Sequence, residues 1–395
     1  MYHDIEKHAD SRLVKPVARE CCVYCGACVC VNPSPGVGFK DGELVFDEES
    51  IMFDKDLQVC PVINATHSTT YPKPPVMEGQ TVDELLGPYL EICSTKSTDE
   101  NVLRKAQIGG TVTSLLLQGM KDGTIDSALL VDKEKGWIGK PRLATTPQDV
   151  LEFAGTKLSE ASVLTCWRYA LKAGYKKLAI VGMPCVTIAQ HLIDNSPDFK
   201  EFSDMHKLKI GIFCMEAFNY HGLFTEFLKD NQKIKPSNIQ KVDVKGKMII
   251  HEITVQDKIT VHTYSLKELH KYSMLGCLPC HDYAAEYSDI SVGSVGSEDG
   301  WNTTIVRTQL GKILLDSTVA SGLLAKKELK DIGHLRNVAI LKKKLKLGVQ
   351  TREPASKVTS DWIATDMVVA DYTHTGMLKR ILKEPAREKG SQVLW

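Results

Sequence analysis

Between Met274 and Thr304 the chain carries a Cys277-x-x-Cys280 pair and an expected short helical spacer. An apolar strand follows at Ile290–Val292, then a glycine-rich loop from Gly293 to Gly300, ending at Trp301. Two thiols at that spacing can give two thiolates to one metal centre. A glycine loop after a buried strand lets backbone approach a cofactor's phosphates or ring, because no Cβ intervenes. A ligand pair and such a loop in one supersecondary unit suggest electron transfer between a metal centre and an organic cofactor. A second thiol group lies near the N-terminus, as Cys22-x-x-Cys25-Gly26-Ala27-Cys28 and then Cys60-Pro61. Three cysteines so closely spaced wrap the corner of an iron–sulfur cube, and with a single such run Cys60 is the candidate fourth ligand. A four-cysteine zinc site is the alternative, although such sites usually use two Cys-x-x-Cys pairs. Cys21 and Cys30 flank the run and could replace an assigned ligand.

Several elements must position these groups. The apolar run Lys177–Gly182 reads as a central strand ending at Met183-Pro184-Cys185, and Lys209–Glu216 as another that carries Cys214. Ile125–Val131 is a third buried strand; helices are expected from Thr111, from Thr146 as a cap, and over Ser162–Ala173. Strands alternating with helices argue for an α/β layer structure with several parallel strands, whose carboxyl ends gather ligands. Cys185 and Cys214 would stand at two such ends and form a second four-thiolate set with Cys277 and Cys280. Each alone would read as a small buried hydrophobe. A thioredoxin-like role for Cys277 and Cys280 needs a strand just before them, and Lys271–Leu275 is a poor one. Gly109-Gly110 is a plain turn or a helix start suited to a phosphate or flavin edge. Ala154–Lys157 is a small cationic turn. Residues 235–265 alternate as antiparallel strands do, and 36–46 read as a hairpin around Asp41-Gly42.

The 395 residues divide into a cysteine module at 1–63, a proline-rich linker at 64–88, a core at 89–325 and a helical extension at 326–395. In the extension Lys342–Lys346 reads as a solvated helix face, and the tail to Trp395 as a wrap or a docking segment. Lys and Arg number 49 against 49 Asp and Glu, so no charge excess favours nucleic acid or an anionic membrane. No apolar run approaches a membrane span, and the N-terminus has no signal-peptide core, so a cytoplasmic protein is expected. In that setting twelve cysteines suggest metal ligands or catalytic thiols rather than disulfides, and the Asn64 sequon is a chance match.

From about Cys93 to Ile340 the chain resembles the beta-subunit family of coenzyme F420-reducing hydrogenases and dehydrogenases. The resemblance rests on Lys105–Gly110, Ala154–Thr156, Pro184-Cys185, Phe213–Glu216, Gly276–Glu286 and Gly293–Trp301. It implies an α/β flavoprotein core with a mixed sheet and a small ferredoxin-like N-terminal module. It also implies FAD, two [4Fe-4S] clusters, and F420 as the hydride-exchanging substrate. By that resemblance Gln107, Gly109, Gly110, Thr111 and Thr113, then Gly155, Thr156 and Lys157, then Gly293, Ser294, Gly296, Gly300 and Trp301 would line the flavin. The cluster ligands would be Cys22, Cys25, Cys28 and Cys60, and Cys185, Cys214, Cys277 and Cys280. No side chain need act as a nucleophile. The implied partner is a redox subunit of a hydrogenase, formate dehydrogenase, heterodisulfide reductase or membrane dehydrogenase, or else ferredoxin. A ferredoxin-fed flavoenzyme like 7-hydroxymethyl chlorophyll a reductase and a zinc-stabilised binding protein are the rival readings.

Overall fold

Runs such as Leu178-Ala179-Ile180 and Ile290-Ser291-Val292 are fully or almost fully buried, which a strand achieves only inside a sheet covered on both faces. The computed structural model describes residues 22–32, 37–40, 43–46, 58–62, 64, 73–244, 246–254, 258–277 and 280–350, with side chains omitted for 37–40, 43–46 and 344–350. Two hairpins come first, β1 (Val37–Lys40) with β2 (Glu43–Phe46), as expected, and β3 (Thr81–Asp83) with β4 (Gly87–Tyr89). Next come β5 (Glu91–Ser97), β6 (Ser127–Lys133), β7 (Gly139–Ala144), β8 (Lys177–Gly182) and β9 (His206–Ile212). A separate antiparallel sheet of β10 (Ile239–Val244), β11 (Lys247–Ile253) and β12 (Ile259–Ser265) matches the alternation read over 235–265. The chain then returns as β13 (Ile290–Gly293), β14 (Asn302–Val306) and β15 (Leu324–Glu328).

The main sheet has eight strands in the order β15-β5-β14-β13-β9-β8-β6-β7. Its centre, β13-β9-β8-β6, is parallel, and the flanking pairs are antiparallel. The sheet is therefore mixed, with the expected parallel strands at its middle. Thr146 caps its helix through a reciprocal capping box with Asp149, and Gly110 precedes the helix Thr111–Lys121.

Three expectations are corrected. Residues 81–89, read as the end of a linker and the start of the core, form a hairpin with Leu86 fully buried; Arg336 holds its Asp83 at 2.6 Å. The spacer at 281–289 is a series of turns rather than a helix. Ala285 takes φ 54°, its Cβ lies where a side chain on Gly211 would be, and the Ala284 carbonyl is taken by Arg307. The lysine run is not all solvated, because Lys342 is only 2% exposed. Cys21, the Tyr71-Pro72 part of the linker and the tail beyond 350 lie outside the described residues.

The described part of the cysteine module shares its apolar core with the main domain. Val23, Cys25, Ala27, Cys30, Val31, Val59 and Val62 pack with Leu164, Trp167, Ile188 and Leu192. Arg168 clamps the short helix Ala27–Val31 by donating to the carbonyls of Cys30 and Val31. No described helix is long and apolar enough to cross a membrane.

Candidate thiol and cofactor site

The N-terminal thiols are gathered by two backbone devices. Tyr24 and Gly26 both take positive φ, 53° and 84°, so the chain doubles back between Cys22 and Cys28. A Cβ on Gly26 would lie 2.9 Å from the Ser162 carbonyl oxygen, so glycine is required by conformation and by the close approach of the loop ahead of Thr165–Lys172. The Tyr24 N–H donates to Cys22 Sγ at 3.3 Å. Cys22, Cys25, Cys28 and Cys60 then lie within electrostatic range of one another. Burial, followed by these neighbouring sulfurs, drives the Cys22 and Cys25 thiols well above their usual range. Cys30 lies fully buried in the apolar core, as a small hydrophobe does.

The second set forms where the parallel strands end. Cys185 lies in the first turn of the helix after β8, and Cys214 lies two residues beyond β9. Cys277 closes a short turn, donating its N–H to the Met274 carbonyl and accepting at Sγ from the Ala217 N–H. Burial and the sulfurs of Cys277 and Cys280 push the Cys214 thiol up to about 12, with Lys342 acting in the opposite direction. Burial drives the Cys185 thiol well above its usual range, and Cys25, Cys214, Cys277 and Cys280 all lie within electrostatic reach of it. Cys22, Cys185 and Cys214 are only half-buried by surface area, although burial dominates their titration. None of the described cysteines is in a disulfide, and among the described residues no three Cys, His, Asp or Glu side chains converge on a single-ion geometry.

The three glycine segments meet beside this set. Gly293 ends β13, and a Cβ there would lie 1.9 Å from the Phe213 ring, next to Cys214. Asn302 joins two segments: its Nδ2 donates to the Gly293 carbonyl at 3.2 Å, and its Oδ1 accepts from the Thr111 N–H at 3.3 Å. Beneath them runs a ladder of hydroxyls, Thr304–Thr95–Thr111 at 2.6 and 2.8 Å and Ser94–Ser297–Thr303 at 2.8 Å each. The third segment joins through Thr156, which donates to Gln107 Oε1. Lys157 donates to the carbonyls of Phe153, Ala154 and Gly155, and burial brings its ammonium down to about 8. Thr113 lies in the first turn of the helix Thr111–Lys121. Lys327 lies over the Trp301 ring at 4.1 Å, and a Cβ on Gly300 would meet only the Lys96 ammonium at 3.9 Å.

Sequence reasoning missed a buried group of charges behind the core thiols. Arg307 is 2% exposed and donates to Ser291 Oγ, the Pro88 carbonyl and the Ala284 carbonyl at 2.7, 2.9 and 3.0 Å. Asp282 accepts the Glu286 N–H, and Lys343 pairs with Glu286 at 3.1 Å. Burial and then Asp282 raise the Glu286 carboxyl to about 7 against the pull of Lys343 and Arg307. Lys342 donates to the Cys214 carbonyl at 2.7 Å. A signal for Lys342 was present: it follows Leu335 by two turns and Ala339 by three residues, on the face those residues bury.

Two family descriptions, both of the coenzyme F420 hydrogenase/dehydrogenase beta subunit, cover most of this architecture. The one for its N-terminal part matches residues 92–166, and the one for its C-terminal part matches 175–332. The chain is 36% identical over 277 residues to the coenzyme F420 hydrogenase subunit beta of Methanothermobacter thermautotrophicus, covering 69% of this chain and 95% of that one. It is 32% identical over 254 residues to the coenzyme F420 hydrogenase subunit beta of Methanosarcina barkeri, covering 63% and 86%. A chain in a solved structure of the F420-reducing [NiFe] hydrogenase complex from Methanosarcina barkeri superposes with a TM-score of 0.64 at 30% identity, covering 68% of this chain and 93% of that chain.

Proposed function

The chain belongs to the coenzyme F420 hydrogenase/dehydrogenase beta-subunit family, and from that premise we propose that it is the F420-exchanging, flavin- and iron–sulfur-bearing subunit of a larger redox complex. The observation that supports the reading best is that thiols of both cysteine sets lie within electrostatic range of Cys185, with glycine segments linked beside Cys214. The donors acting most strongly on Cys22, Cys25 and Cys185 are other cysteines, the all-thiolate chemistry that iron–sulfur clusters use. Cys22, Cys25, Cys28 and Cys60 would hold one [4Fe-4S] cluster, and Cys185, Cys214, Cys277 and Cys280 the other. Gln107–Thr113, Gly155–Lys157 and Gly293–Trp301 would hold FAD. When bound, these groups supply hydride exchange with F420 at the flavin and one-electron transfer at the clusters.

The chain's own residues supply placement and charge. Asn302 and the hydroxyl ladder fix the spacing between the Gly293 loop and the Thr111 helix, so the flavin pocket is set before any ligand arrives. Lys157 adds a cation beside Gly155 for a flavin phosphate. Phe213 occupies the space between the glycine loop and Cys214. Cys185 places the two thiol sets side by side, giving single electrons a path from the inner set to the N-terminal set and on to a partner redox subunit or ferredoxin.

The test is an anaerobic visible spectrum of the purified protein titrated with reduced F420. Flavin and iron–sulfur absorbance bleaching together is the expected result. Bleaching by dithionite but not by reduced F420 would discard F420 as donor, and a colourless, zinc-containing protein would overturn the redox reading.

A further inference from the structure

A lysine buried to 2% exposure is costly unless anions surround it, because an ammonium loses most of its hydration on burial. Lys342 has no carboxylate at salt-bridge distance among the described residues, and its nearest polar contact is the Cys214 carbonyl at 2.7 Å. Cys214 is one of the four inner cysteines, so the ammonium is held against the backbone of that set. The helix Ile332–Gln350 carries it there by burying Leu335 and Ala339 in the cluster formed with Leu86, Tyr283, Ala284 and Ile305, so the lysine follows on an anchored face. Arg336, pairing with Asp83, and Lys343, pairing with Glu286 and donating to the Glu84 carbonyl at 2.8 Å, hold the helix on either side.

We propose that Lys342 is a built-in counter-charge that sets the reduction potential of the group held by Cys185, Cys214, Cys277 and Cys280. This rests on the iron–sulfur reading given above. A cube held on four thiolates would be anionic, and its one-electron reduction would add one more negative charge. A fixed ammonium in a low-dielectric surround stabilises that reduced form over the oxidised one and raises the potential. Lys342 is a positioning residue in this sense and touches no reacting atom.

The experiment is an anaerobic potentiometric titration of the full chain, with the two cluster signals followed by electron paramagnetic resonance and iron and sulfide measured on the same samples. Lys342→Met should keep the parent's iron and sulfide while one cluster becomes harder to reduce by at least tenfold, about 59 mV for one electron. The other cluster should stay in place. Unchanged potentials in an iron-replete Lys342→Met protein would overturn the proposal. If Lys342→Met does not load iron, Lys342→Arg carries the test. With the charge retained, a shift within a few-fold supports the proposal, and a tenfold fall refutes it. A parent protein without iron and sulfide would instead sink the iron–sulfur reading itself.

Discussion

Glu286 gives a pH dependence whose size follows from its surroundings. Its carboxyl is raised to about 7 from an ordinary 4.5, first by burial and then by Asp282, with Lys343 and Arg307 opposing. Between those two values the unfolded chain has released this proton and the folded chain still holds it. The folded state binds more protons there, so stability falls as pH rises from about 4.5 to about 7 and then levels off. About two and a half pH units at 1.36 kcal/mol each is roughly 3 kcal/mol. Glu286→Gln removes the titration but keeps the shape. The difference in unfolding free energy, variant minus parent, should therefore increase by about 3 kcal/mol between pH 4.5 and pH 8, whatever constant offset comes from replacing the carboxyl with an amide. Urea unfolding at a series of pH values, done anaerobically on matched cofactor-loaded samples, reads this difference directly. Parallel stability profiles for the two proteins would refute the reasoning, and so would a difference that shrinks with pH.

Two further outcomes follow from contacts already described. Gly293→Ala puts a Cβ 1.9 Å from Cδ2 and 2.3 Å from Cγ of Phe213. Overpacking there should cost about 1–3 kcal/mol, and adding Phe213→Ala should recover part of it; a Gly293→Ala protein within about 0.5 kcal/mol of the parent in urea would be inconsistent with this packing. Arg168→Ala removes two charge-assisted bonds to the carbonyls of Cys30 and Val31, each worth about 1.5–3 kcal/mol. Amide exchange across residues 22–32 should accelerate on the order of a hundredfold or more, and exchange at the parent rate would show that the clamp does not hold the module.

Local pattern made much of this molecule readable. Parallel strands at the sheet's centre were marked by continuous apolar runs, because a strand covered on both faces has no polar side to show. Thr146 was readable as a cap because the capping box is a local sequence signal. Cys185 and Cys214 could be placed at strand ends because the strands before them were plain. The turns at 281–289 were not readable, since they depend on Gly211 admitting Ala285 and on Arg307 capturing the Ala284 carbonyl. The sequence separation is too long for any local rule to link these residues. The same holds for β5, which lies between β14 and β15 although more than two hundred residues separate it from either in the chain.

The chain's own order of residues determined which chemistry was available: two cysteine sets, three glycine turns and an α/β scaffold. Tertiary structure decided which of these meet. Cys185 lies within electrostatic range of thiols from both sets, Asn302 ties two glycine segments, and Lys342, in a run that reads as solvent-facing, is buried against the backbone of Cys214. Periodicity reports how a segment relates to water, whereas the partner of a buried charge is set by which distant segments pack against it.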